Sequence, residues 1–190
     1  MSKFMTKSRL KLFAHGIFYS KMNYCLPVFG HVFDLETYRD TSTRHHSFTK
    51  QDNRQIQVLQ NSVMRLLTGM KRGTPTTTLL RLTESLSVQQ TIALQTLVMV
   101  HKIVHTNKPA YLAERLKFRN EEDGMETLTR GLGMITNISR RLSTSRGGFL
   151  YRGSKLFNKL PQGLRTEPIL KKFKEGVKKW VIGNVKARPR

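Results

Sequence analysis

Acidic residues are scarce. Twelve Asp and Glu stand against 34 Lys and Arg in 190 residues, a formal net charge of +22. No pair of aspartates stands where a polymerase or nuclease would hold two metals. Cysteine is scarcer still. Cys25 is alone, which excludes an intramolecular disulfide and points to a reducing compartment, so an intracellular site, nuclear or cytoplasmic, is expected. Its apolar neighbours predict a buried thiol. No apolar run approaches the roughly 18 residues that a membrane span needs, so no transmembrane segment is expected. The start, MSKFMTKSRLKLFAHGIF, lacks both an uncharged core and a small-residue cleavage site, and no signal peptide is expected.

Recognisable chemistry is also missing. The stretch GMKRGTPTTT has neither the spacing nor the preceding strand of a phosphate-binding loop, and no Gly-x-Ser-x-Gly elbow occurs. His101 and His105 have the i, i+4 spacing that places two imidazoles on one helix face. The motif there is HKIVH, without the glutamate of HExxH, and histidine near a helix C-terminus is favourable in its own right. No metal site, cofactor or catalytic residue is expected.

What is present is charge, unevenly spread. Residues 1–50 carry 8 basic and 3 acidic residues, and residues 51–129 carry 10 and 7. Residues 130–190 carry 16 and 2, a net of +14. A near-neutral body thus leads into a strongly cationic final third. Such an imbalance calls for a polyanionic partner, with nucleic acid first and an anionic membrane surface second.

The apolar pattern is helical. Residues 7–23 read as a helix with Leu10, Phe13, Ala14, Ile17 and Phe18 on one face. Pro27 and Gly30 end the apolar run YCLPVFG, and the polar stretch 34–50 reads as an exposed loop. Asp52 is the expected N-cap of a helix whose inner stripe is Ile56, Leu59, Val63, Leu66 and Leu67, stopped by Gly69. Thr74 with Pro75 at the first position predicts the next helix start. Residues 87–105 form the most apolar helix, opened by a Ser87/Gln90 capping box and placed at the centre of the core. A short helix follows Pro109. Residues 119–148, rich in Gly, Ser, Thr and Arg, read as a linker with room for a short hairpin alternating at Leu132, Met134 and Ile138. Helices over 149–160 and 168–182 close the chain. The last has Ile169, Leu170, Phe173, Val177, Trp180 and Val181 on one side and Lys171, Lys172, Lys174, Lys178 and Lys179 on the other. The expected fold is mainly α: a small helical bundle with a body over 1–118 (polar loop 34–51), the 119–148 linker and a basic helical segment over 149–190.

Several short stretches occur in a telling order: IFYSKMNYCLPVFG, a polar insertion, IQVLQNSVMRLLTG, TPTTTLLRLTESLSVQQTIALQTLVMVHKIVHTNKPAYL, a basic tract, SKLFNKLPQGLR and FKEGVKKWV. This succession resembles the region downstream of the polymerase core in reverse transcriptases of non-LTR (LINE-type, jockey- or CR1-like) retrotransposons. Phe29-Gly30, Asn107-Lys108-Pro109, Phe157-Asn158-Lys159-Leu160-Pro161 and Phe173-Lys174 stand at that region's marker positions, with Phe for Trp in two of them. The likeness runs from about residue 10 to residue 181. Polymerase activity in that family resides in a palm with an F/Y-x-D-D motif, which this chain lacks. The resemblance therefore implies a non-catalytic piece of a retroelement protein. A zinc knuckle, present after the polymerase in some of these elements, is ruled out by the single cysteine.

The expected function is binding of RNA, DNA or an RNA–DNA hybrid with little sequence preference, and the resemblance adds the polymerase core of a parent retroelement protein as a partner. The expected phosphate contacts are Arg140, Arg141, Arg146, Arg152, Lys155, Lys171, Lys174 and Lys178. Tyr151, Phe157 and Trp180 are the aromatics able to stack on unpaired bases. Phe157 and Trp180 lie on apolar faces that favour the core. Two other readings remain open: an interaction module whose last amphipathic helix lies on a protein or an anionic membrane, and a decayed reading frame.

Overall fold

The most apolar of the expected helices becomes the axis of the fold. The computed structural model describes residues 5–24, 26–30, 49–116, 134–135 and 148–185, and these are mainly helical. In chain order the helices are α1 (Lys7–Ala14), which continues through a π-helical turn (His15–Tyr19) into α2 (Ser20–Asn23), then α3 (Leu26–Phe29), α4 (Lys50–Thr68), α5 (Thr76–Thr83), α6 (Val88–Thr106) and α7 (Ala110–Ala113). After the linker come α8 (Phe149–Asn158), α9 (Gln162–Arg165) and α10 (Leu170–Asn184). Cys25, the polar loop, most of the linker and the residues after 185 lie outside the described residues, and with them the expected hairpin positions Leu132 and Ile138.

Helix α6 opens as its sequence predicts. The Ser87 hydroxyl accepts from the Gln90 backbone N–H, and the Gln90 side chain accepts from the Ser87 N–H. Val88, Ile92, Ala93, Leu97, Val100 and Ile103 are buried along it. Helices α3, α4, α7, α8 and α10 all pack against it. The C-terminal helices enter the same core: Leu156, Phe157, Phe173, Val177 and Val181 belong to one cluster with Leu26, Ile92 and Leu97. The 149–185 segment is thus bound to the body by burial of apolar surface.

Several local expectations are corrected. The π turn advances the chain by about five residues on one face. The buried positions of the first helix are therefore Ala14 and Tyr19, while Phe13 and Ile17 are exposed. Thr49, not Asp52, is the N-cap of α4; Asp52 is its partner three residues on, its carboxylate accepting from the Thr49 N–H at 2.8 Å and from the Thr49 hydroxyl at 2.7 Å. These two Thr49 bonds hold the Asp52 carboxyl below the usual carboxylate range. Pro75, not Thr74, stands at the N-cap of α5. Of the linker residues described, Met134 is half-buried and Ile135 is buried. Asn158 holds it, donating to the Ile135 carbonyl and accepting from its N–H, both at 2.9 Å.

The largest correction concerns α4. Leu59 and Leu66 of the expected stripe are more than half exposed, and the buried side carries Asn53, Gln57, Gln60, Asn61 and Met64. Gln57, Gln60 and Asn61 are stable there because they bond to one another and to neighbouring groups. Gln57 donates to Gln60 Oε1 (2.9 Å) and Asn61 Oδ1 (3.1 Å). Gln60 donates to the Leu86 carbonyl and Asn61 to Thr76 Oγ1. Gln57 Oε1 accepts from the Val88 N–H at 3.0 Å, capping an otherwise orphaned donor at the start of α6.

Candidate nucleic-acid interface

Helix α10 has the sequence LKKFKEGVKKWVIGN. Its apolar residues recur every three to four positions, which puts them on one side of the helix. Phe173, Val177 and Val181 are fully buried against the body, and Trp180 and Leu170 are half-buried. The intervening cations have nowhere to go but outward. Lys171, Lys172, Lys174, Lys178 and Lys179 are all exposed, and Glu175 is the single acid in the helix.

Two contacts hold this ridge to the axis. The Phe173 ring stacks on His101 of α6 with centroids 4.1 Å apart. His101 Nε2–H donates to the Glu167 carbonyl at 2.8 Å, just before α10. Burial of the imidazole pushes the His101 pKa down, and the Glu167 bond opposes that shift only in part. The neighbouring His105, 4.2 Å away ring to ring, is also shifted down by burial. Among the described residues, no group of three or more His, Cys, Asp and Glu side chains is placed to hold a metal ion.

The expected phosphate contacts separate into three groups. Lys171, Lys174 and Lys178 share the exposed ridge. Lys155 is exposed on α8, its ammonium 4.5 Å from the centroid of the Tyr151 ring. Arg140, Arg141 and Arg146 lie outside the described residues. Arg152 is a correction: it is buried, at 5% exposure. Its guanidinium donates to the Val28 carbonyl at 2.6 Å and to the Gly30 carbonyl, joining α8 to the end of α3. This arginine is part of the scaffold, because a fork of N–H donors matches two neighbouring carbonyls that α3 leaves without helical partners. Arg165 is buried as well, and its pKa is lowered by that burial.

Compared with protein-family models, curated proteins and solved structures, the chain matches none.

Of the aromatics, Phe157 is wholly buried, and Tyr151 and Trp180 are half-buried. Sequence reasoning missed Arg81, which is exposed on α5 and, with Lys178 of α10, lines an open cleft between the two helices. It stands in the near-neutral middle of the chain, where charge counting gives no signal. Lys172 and Lys179 were visible as members of the cationic side of α10, and the structure exposes both. No helix among the described residues is long and apolar enough to cross a membrane.

Proposed function

We propose that the protein is a non-catalytic nucleic-acid-binding module, derived from the C-terminal region of a non-LTR retrotransposon reverse transcriptase, that lies along RNA or an RNA–DNA hybrid. The observation that carries this reading is the α10 ridge: five exposed lysines between Lys171 and Lys179, with one acid among them, on a helix anchored by fully buried Phe173, Val177 and Val181. Lysines spaced along a rigid rod neutralise successive phosphates and release counterions, a term that needs no base reading. Rigid docking of the rod limits the ordering cost of binding.

Two further observations favour it over an interaction module that uses α10. The apolar side which that module would offer to a membrane or protein is occupied by α6. The residues that mark the retroelement resemblance also have coherent structural work: Gly30 at a close approach to Ile92, Phe157 in the core, Asn158 clasping Ile135 and Pro161 capping α9. The test is equilibrium binding of a short mixed-sequence RNA at several salt concentrations. Affinity should fall steeply as salt rises and vary little with sequence. Binding indifferent to salt would contradict phosphate contact.

A further inference from the structure

Beside the ridge lies an open cleft of about 720 Å³, walled by α5 on one side and the C-terminal end of α10 on the other. Its walls are mostly aliphatic, from Leu80, Leu86, Ile182 and Val185. Leu80 and Val185 are buried and Ile182 is more than half exposed, so the floor is fixed and the lip is open. The floor is held by Gln90, whose amide donates to the Val185 carbonyl at 3.0 Å while its oxygen accepts from the Ser87 N–H. Two cations from different helices line the cleft, Arg81 on α5 and Lys178 on α10.

We propose that this cleft takes an unstacked nucleotide of a single strand, so that the protein prefers unpaired nucleic acid to duplex. The inference rests on the nucleic-acid reading above and adds a subsite to it. A nucleotide combines a flat body of low polarity with an anionic group, and the cleft combines aliphatic walls with one cation on each side. The Glu84 carboxylate also lines it and offers an acceptor to base N–H groups. Lys178 belongs to both the ridge and the cleft, so a strand tracking the ridge arrives with its backbone at the opening. A duplex reaches the lysines equally well but cannot insert a base that remains stacked. Among the described residues no aromatic side chain lines the cleft, so purines and pyrimidines are held with little discrimination.

Gly183 makes the test clean. It lines the cleft, and a Cβ added to it would meet nothing within 4 Å. Gly183→Leu therefore adds bulk at the cleft from a position whose Cβ is free of contact, and it favours the helix. Arg81→Gln removes one cation outside the ridge. Fluorescence anisotropy is measured with single-stranded and duplex RNA of equal length at one moderate salt concentration, and circular dichroism checks each variant's fold. The wild type should bind the single strand about tenfold more tightly, and each variant should lose roughly fivefold on the single strand while staying within about twofold on duplex. Equal wild-type affinity for both forms, or variants that weaken both equally or neither, would overturn the cleft assignment alone. Failure to bind either form would remove the nucleic-acid reading beneath it.

Discussion

Replacing Gln57 by Leu changes the volume of the side chain little but removes three hydrogen bonds from a buried position. Gln60 Oε1 and Asn61 Oδ1 lose their donor, and the Val88 N–H loses its acceptor. At about 1 kcal/mol for each group left unsatisfied, the low end of the usual range, the cost is about 3 kcal/mol. In a chain of this length that corresponds to a fall in Tm of roughly 6–12 °C. The informative comparison is Leu59→Gln on the same helix. Leu59 is 57% exposed, so that change should stay within about 0.5 kcal/mol. Urea unfolding followed by circular dichroism, with Trp180 fluorescence as a second probe, measures both. Should Leu59→Gln prove the costlier change, or Gln57→Leu be neutral or stabilising, α4 would be packed by its leucines and the amide side assigned here would be wrong.

Arg152→Met keeps the aliphatic stem but abandons the carbonyls of Val28 and Gly30. It should cost about 3 kcal/mol of stability and leave the RNA affinity of the folded protein unchanged, as chemical denaturation and binding measured side by side will reveal. Gly30→Ala would place a methyl 2.8 Å from two carbons of Ile92 and 2.5 Å from the Leu26 carbonyl, for an expected loss of about 1–3 kcal/mol. Gly163→Ala, where nothing lies within 4 Å, should be neutral or slightly stabilising in the same unfolding assay. The His101 pKa is lowered in the fold from 6.5, so the neutral ring is the form that the fold prefers. Its contribution is complete above pH 6.5 and is lost as the pH falls through the depressed folded value. Thermal melts between pH 7 and 5 should show declining stability, and His101→Gln, which retains a donor for Glu167, should flatten that decline.

Features governed by neighbours in sequence were legible before the fold was known. The Ser87/Gln90 box, the Gly69 stop and the two-sided pattern of α10 each depend on residues within a turn or two. The structure places all three where the pattern put them: Gly69 takes a left-handed conformation at φ 73°, and the α10 lysines face outward. What was hidden depends on distant partners. The amide row of α4 has the same three-to-four spacing as its leucines. Only the N–H of Val88, 31 positions away, and the carbonyl of Leu86 make amides the better inner side. Arg152 sits in a cationic tract and looks like its neighbours, yet its acceptors lie more than 120 residues upstream. The exposed cationic ridge was therefore readable from periodicity and charge, whereas Arg81, on the far wall of the cleft, required the approach of α5 to α10.

The proposed function requires the lysines of α10 to contact phosphates. Its most direct measure is the slope of log affinity against log salt for a single-stranded RNA, in the wild type and in the triple variant Lys171→Gln, Lys174→Gln, Lys178→Gln. Neutralising three phosphate contacts should make the slope shallower by about 2 and weaken binding across all sequences alike. An unchanged slope in a folded triple variant would place the contact elsewhere on the protein and contradict the account.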